Sequence, residues 1–263
     1  MELEIFVVDA FTDNQFGGNS AAVVPVVDWL SVDLMQNIAA ENNLSETAFI
    51  KSLSANRYEI RWFSPMTEID FCGHATLAAS FVLFEHLSCD GEIEFITDKV
   101  GSLTVTQLAD KRIQMSFPNC APSPINAVPE ALLAGLSIAP QAVLKNEQAY
   151  FAVMSSAAEV KEVESQSEIL KSLAPYDVVV TARDVQFDFV SRYFWPANGG
   201  DEDPVTGSIH AGLAPYWSGI LGTNKLVARQ ASKRGGVLHC QVDGDRVLVS
   251  GYGVLYLLGT IYV

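Results

Sequence analysis

Basic residues are scarce in this chain: 16 Lys plus Arg stand against 31 Asp plus Glu, a formal net charge of -15. A surface of that sign repels polyanions, which argues against nucleic acid or an anionic membrane as partner. No stretch of about 18 consecutive apolar residues is present to span a bilayer. The opening Met1-Glu2-Leu3-Glu4 is acidic where a secretory signal carries Lys or Arg, so a cytoplasmic protein is expected. The cysteines are few and scattered, Cys72, Cys89, Cys120 and Cys240. That is neither a disulfide framework nor a CxxC zinc pattern, and reduced, mostly buried thiols are expected. Missing as well are a GxGxxG fingerprint after a strand, a Walker A loop, HExxH and an EF-hand loop. No lysine, Lys51, Lys99 and Lys161 included, lies in a setting that marks it as a pyridoxal anchor. Cys72-x-His74 is the nearest thing to a metal pair, and no further His or Cys cluster completes it. The expected chemistry uses neither cofactor nor metal.

What is present is core material: 263 residues, 49% of them hydrophobic, enough for one large domain or two small ones. β-Branched and aromatic runs predict strands at Glu4–Phe11 and, past the break at Gly17-Gly18-Asn19, at Ala21–Val27. Ser31 is a plausible N-cap for a short amphipathic helix through Leu34, Met35, Ile38 and Ala39, ending at Glu41-Asn42-Asn43. Leu44–Ile50 and Tyr58–Phe63 read as strands. His74–Phe84 is apolar nearly all round, so its helix must be enclosed on most sides. Further strands are expected at 93–96, 102–108 and 112–117. Pro118, Pro122, Pro124 and Pro129 then crowd a stretch without period, the best domain boundary. The expected domains are 1–118 and 119–263, with the last strand able to cross back to the first. A second apolar helix is expected to begin at Ser208. Val247–Val249 and Val254–Leu258 are read as core strands.

The halves resemble each other. Arg61-Trp62-Phe63-Ser64-Pro65 recurs as Arg192-Tyr193-Phe194-Trp195-Pro196 at an offset of 131 (192 - 61). After each comes an acid, Asp70 or Asp203, and then a Gly that opens an apolar helix, Gly73-His74 or Gly207-Ser208. A duplicated unit is the economical explanation. Helix N-termini carry unsatisfied N–H groups and partial positive charge, and a Gly there lets an anion approach the backbone. Two such helices predict an interdomain cleft suited to a substrate carboxylate, although either Gly also fits an ordinary turn. Glu46 shares a strand face with Ala48 and Ile50, while Asp203 precedes the second helix. Burial raises a carboxyl pKa toward neutrality and makes it a usable acid or base, whereas a helix N-terminus holds a carboxylate ionised, so the two can occupy opposite protonation states. An edge-strand position for Glu46 and a capping role for Asp203 are the plain alternatives.

These residues together resemble one family. Asp9-Ala10-Phe11-Thr12-Asp13 with Phe16-Gly17-Gly18-Asn19, Leu44–Phe49 around Glu46, Arg61-Trp62-Phe63 with Asp70–Thr76, Glu202–Ser208, and Gln230–Gly236 are similar, in order, to the phenazine-biosynthesis PhzF-like family. The resemblance implies an α/β fold of α+β type, diaminopimelate-epimerase-like: two pseudo-symmetric domains, each a curved mixed sheet wrapped around a central buried helix. It implies a homodimer. It also implies that Glu46 shuttles the proton, that His74, Asp203 and Ser208 contact and orient substrate, and that the backbone around Gly73 and Gly207 holds a carboxylate. Asn19 would line the site. Cys72 stands where related epimerases and racemases keep one of two catalytic thiols, yet Asp203–Gly207 offers no partner thiol, so Cys72 is expected to line the site by packing. Ser20, where a Pro often follows Gly-Gly-Asn, and Ala231, where a Gly is common, depart from the pattern and leave the substrate open. The expected activity is a cofactor-independent isomerase of biosynthetic type moving a proton on a small amino- or hydroxy-acid-like carboxylate. The alternatives are a Cys72-assisted epimerase or racemase, and a non-catalytic metabolite- or partner-binding protein.

Overall fold

The computed structural model describes all 263 residues. The chain divides into two compact units, Met1–Ser116 with Ser250–Val263, and Phe117–Val249.

In the first unit, strand Asn19–Val26 lies antiparallel to Glu2–Ala10 and parallel to Glu46–Ser54. Glu46–Ser54 then pairs antiparallel with Arg57–Phe63. That strand pairs with the short return Glu68–Ile69 and, in parallel, with Glu92–Ile96, which is followed by Ser102–Gln107. The first helix, Val32–Asn42, is capped as expected: the Ser31 hydroxyl accepts from the Leu34 N–H, and Asn43 ends the helix in the left-handed conformation. Its buried face, Met35, Ile38 and Ala39, packs with Ala22, Val24, Phe49 and Phe63. Helix Gly73–Glu85 is buried from Gly73 through Ser80 and again at Val82 and Leu83. Enclosure on all sides is what its nearly uniform apolarity requires.

The second unit repeats this topology. Ala149–Val153 lies antiparallel to Ala142–Lys145 and parallel to Asp177–Arg183. Asp177–Arg183 is antiparallel to Phe189–Trp195. Phe189–Trp195 pairs with the short return Gly200–Asp203 and in parallel with Lys225–Gln230, which is followed by Gly236–Asp243. The repeated arginines have one job in both units. Arg61 forms a two-pronged pair with Glu68, at 2.7 Å for each prong, and Arg192 does the same with Glu202 at 2.8 and 2.9 Å. The acid that recurs with the pentapeptide is therefore Glu68 and Glu202. The matching of Asp70 with Asp203 is corrected by the register: Trp62 faces Ile69 and its counterpart Tyr193 faces Asp203.

Two further expectations change. The second helix runs His210–Leu221, not from Ser208. Gly207–Ile209 forms a tighter turn, in which the His210 and Ala211 N–H groups donate three residues back, to the Gly207 and Ser208 carbonyls. Within the helix Pro215 has no N–H to give Ala211, four residues earlier, and the Cys120 N–H donates to that carbonyl at 3.0 Å instead. Val247 and Val249 are core residues, whereas Val254–Leu258 belongs to strand Gly253–Tyr262, on which Tyr256, Leu257 and Leu258 are 53%, 42% and 51% exposed. That strand pairs with Glu2–Ala10.

Candidate active site

Each unit gathers its own set of polar groups. In the first, Glu46 is the opening residue of a strand held between two others, and His74 is the second residue of the buried helix. Both are nearly inaccessible, at 5% and 6% exposure. Glu46 Oε2 stands 2.7 Å from His74 Nε2, yet no donor is aligned to give that oxygen a hydrogen bond. The solvent-facing, edge-strand alternative for Glu46 is thus excluded. A buried carboxylate oxygen left without an aligned donor is costly in a structural role.

The other face of the imidazole is fixed by its neighbours. The Ser45 hydroxyl donates to Asn19 Oδ1 at 3.0 Å, and the Asn19 amide nitrogen lies 3.2 Å from His74 Nδ1. Asn19 is placed in turn by the Gly17-Gly18 turn, which Asp9 ties down by accepting from the Phe16 N–H at 3.0 Å and from the Ser20 hydroxyl. Ser20 therefore makes a bond that the family's Pro would lack. Burial drives the His74 imidazolium down, but the Cys72 sulfur and the Glu46 carboxylate more than offset it, and its pKa is raised well above the ordinary histidine value.

Cys72 precedes the helix without capping it. Its sulfur is 3.4 Å from His74 Nδ1 and 3.8 Å from Nε2. Glu46, Cys72 and His74 have the donor types of a three-ligand metal site, and their ligand atoms lie within 4.8 Å of one another. Burial, with the Glu46 carboxylate adding to it, pushes the Cys72 thiol up to about 11. Cys72 is thus a neutral thiol at physiological pH, poorly suited to act as nucleophile or base.

In the second unit Asp203 closes the short strand Gly200–Asp203 and is buried. Its Oδ2 accepts from the Thr206 hydroxyl, and its backbone carbonyl accepts from Gln230 Nε2 at 2.8 Å. Gln230 Oε1 in turn receives the Thr206 N–H at 2.9 Å. Ser208, in the turn after Gly207, accepts from Gln148 Nε2 at 3.0 Å. Among the expected site residues, Glu46, His74, Cys72 and Asn19 meet in the first unit, with Gly73 heading the same helix. Asp203, Gly207 and Ser208 occupy one strand-to-turn segment of the second. Gln148 and Asp177 went unread in the sequence, and Ser45 and Tyr193 entered only as members of longer motifs. The offset of 131, carried past the pentapeptide to Glu46, would have pointed to Asp177.

Comparison with known proteins decides the family. The phenazine biosynthesis-like protein family, PhzC-PhzF, matches residues 8–259. The chain belongs to it. An uncharacterized isomerase of Pseudomonas aeruginosa is 45% identical over 263 residues, all of both chains. A PhzF-family crystal structure from Enterococcus faecalis is 40% identical, covers all of both chains and superposes with a TM-score of 0.95. At the level of fold alone, a hydroxyproline epimerase from Agrobacterium vitis is similar with a TM-score of 0.57 and 9% identity, over 99% of this chain and 92% of that one. The PhzF-like chain thus has the mixed, sheet-dominated α+β fold of the isomerase and epimerase class. No helix is long and apolar enough to cross a membrane.

Proposed function

We infer that this PhzF-like chain is a cofactor-independent isomerase that moves a proton on a small carboxylate-bearing, amino- or hydroxy-acid-like molecule, with Glu46 as the group that takes and returns it. The observation that carries the reading is Glu46 Oε2: buried, 2.7 Å from an imidazole nitrogen, and without an aligned donor. A buried carboxylate in contact with an imidazole can take a proton from a substrate and return it, with the histidine as the partner that exchanges that proton. The roles the family resemblance implies for His74, Asp203 and Ser208, orienting polar groups of the substrate, belong to the same reading. So does carboxylate binding at the backbone around Gly73 and Gly207. Cytoplasmic location and a homodimer are further parts of it, the latter tested by sedimentation.

Isotope exchange in deuterated water tests the chemistry on a panel of proline, trans-4-hydroxy-L-proline, other small amino and hydroxy acids, and dihydro-hydroxyanthranilate. Exchange at one carbon position is expected. Tight binding of a panel compound with no exchange would favour a binding protein on the same scaffold. A second reading, an epimerase using Cys72, has the contact of Cys72 with His74 in its favour. Against it stand the raised thiol pKa and Thr206 at the matching position before Gly207, where a partner thiol is needed.

A further inference from the structure

The duplication assigns Glu46 a counterpart. Ala21 faces Glu46 across one parallel strand pair, and Ala149 faces Asp177 across the other. The next residues, Thr47 and Val178, face Phe63 and Phe194. The separation, 177 - 46, is again 131. His74 and Ser208 each follow a Gly, Gly73 at the head of its helix and Gly207 in the turn that leads into helix His210–Leu221. Glu46 meets His74 directly, whereas the shorter Asp177 is linked to Ser208 through two side chains. The Tyr193 hydroxyl donates to Asp177 Oδ2 at 2.5 Å, and Asn198 Nδ2 donates to Oδ1 at 2.8 Å. Gln148 Nε2 stands 2.9 Å from the Tyr193 oxygen and 3.0 Å from Ser208 Oγ. Tyr193 is buried.

Counting protons along this chain fixes its direction. The Tyr193 hydroxyl donates to Asp177 Oδ2, which commits its single phenolic proton there; burial raises the Asp177 carboxyl above its ordinary range, and the Tyr193 and Asn198 donors oppose that by favouring the ionised, accepting form. The Tyr193 oxygen then has only lone pairs to offer, so Gln148 must turn its NH2 toward it rather than its carbonyl. The second N–H of that amide meets Ser208 Oγ, and the Ser208 proton is excluded from that side. Ser208 is left with its O–H directed elsewhere.

We propose that Asp177, Tyr193 and Gln148 are positioning residues that hold Ser208 as a hydrogen-bond donor toward the substrate, committing it to an acceptor such as a carboxylate or carbonyl oxygen. This rests on the reading of Ser208 as a substrate contact.

Neutron diffraction from deuterium-exchanged crystals of the wild-type chain tests the direction without any substrate. The expected map has a deuteron on Tyr193 pointing to Asp177, both deuterons of Gln148 pointing to Tyr193 and Ser208, and that of Ser208 pointing away from Gln148. A Ser208 deuteron aimed at Gln148 would overturn the proposal. The functional arm uses Gln148→Glu, which keeps the shape and replaces the donor with an acceptor that draws the Ser208 proton inward. Isotope exchange on the panel acids should fall at least about tenfold, the effect of losing one hydrogen bond to a charged group. Relative to wild type at the same pH, it should recover as pH drops toward the ordinary glutamate range, about 4.3, where the new carboxyl regains a proton to donate. A merely structural defect would show no such recovery. If Ser208→Ala abolishes exchange while Gln148→Glu matches wild type, this proposal fails alone. If Ser208→Ala leaves exchange unchanged, the reading of Ser208 as a substrate contact fails, whatever the neutron map shows.

Discussion

The Gly17-Gly18 turn places Asn19 beside His74, and substituting Gly18 by Ala should disturb both stability and site. Gly18 has φ of +62°, and a Cβ there would lie 2.1 Å from the Ala10 carbonyl oxygen and 2.9 Å from Thr12 Cγ2. The left-handed conformation alone costs a non-glycine residue about 1–2 kcal/mol. The clash adds about 1–3 kcal/mol, because a carbonyl at the end of a paired strand cannot swing aside as a flexible side chain would. The sum is about 2–5 kcal/mol. Gly222 supplies the control: its φ is +68°, at the end of helix His210–Leu221, with nothing within 4 Å of the added Cβ. Gly222→Ala should cost only the conformational part, about 1–2 kcal/mol. Urea unfolding followed by circular dichroism, with both variants in parallel, measures the difference. Because Ala10 pairs with Asn19, the shift that relieves the clash also moves Asn19, and isotope exchange should fall in Gly18→Ala but not in Gly222→Ala. If Gly18→Ala proves no more destabilising than Gly222→Ala, the argument from close backbone approach is wrong.

Other consequences follow from the same geometry. Cys72→Ala should keep isotope exchange within about tenfold of wild type, and iodoacetamide should label Cys72 slowly at neutral pH, since its thiol is held at about 11; rapid labelling with parallel loss of exchange would restore the epimerase reading. Arg192→Ala should destabilise more than Arg61→Ala, because Arg192 Nη1 also donates to the Val163 carbonyl at 2.6 Å; about 2–3 kcal/mol is expected against about 1 for the more exposed pair, and equal unfolding midpoints would contradict it. Burial pushes His210 down to about 4, so between roughly that pH and the unfolded value near 6.5 the unfolded chain binds the extra proton. Stability should therefore fall by about 3 kcal/mol as pH drops through that window. His210→Gln should flatten this part of the stability profile, and an unchanged slope would refute the assignment.

How far the sequence could be read depended on whether a residue's partner was local. The enclosed helix Gly73–Glu85 and the Ser31 cap were legible, because periodicity and a capping hydroxyl are local signals. The pentapeptide repeat was legible too, though it was joined to the wrong acid. Spacing matched Asp70 with Asp203, whereas the two-pronged arginine bonds select Glu68 and Glu202, a choice made by strand register. Between residues 130 and 175 the helices Glu130–Ala134, Ala157–Glu162 and Ser167–Leu170 are too short to establish a period. Their Leu132, Val160 and Leu170 are core residues all the same. The exposed Tyr256-Leu257-Leu258 misled because apolarity reports what a residue would gain from burial, not whether the fold supplies a cover. Glu46 and His74 could be named from motifs, but the misaligned contact between them, and the Ser45–Asn19 support behind it, are tertiary facts.

The most direct test of Glu46 as the proton-transfer group is proton NMR of the panel compounds in deuterated water, comparing wild type with Glu46→Gln, whose fold is checked by circular dichroism. Deuterium should enter one carbon-bound position with wild type and do so about 100- to 10,000-fold more slowly with Glu46→Gln, the range that positioned acid–base catalysis supplies. A loss of less than tenfold in a folded Glu46→Gln would contradict the account.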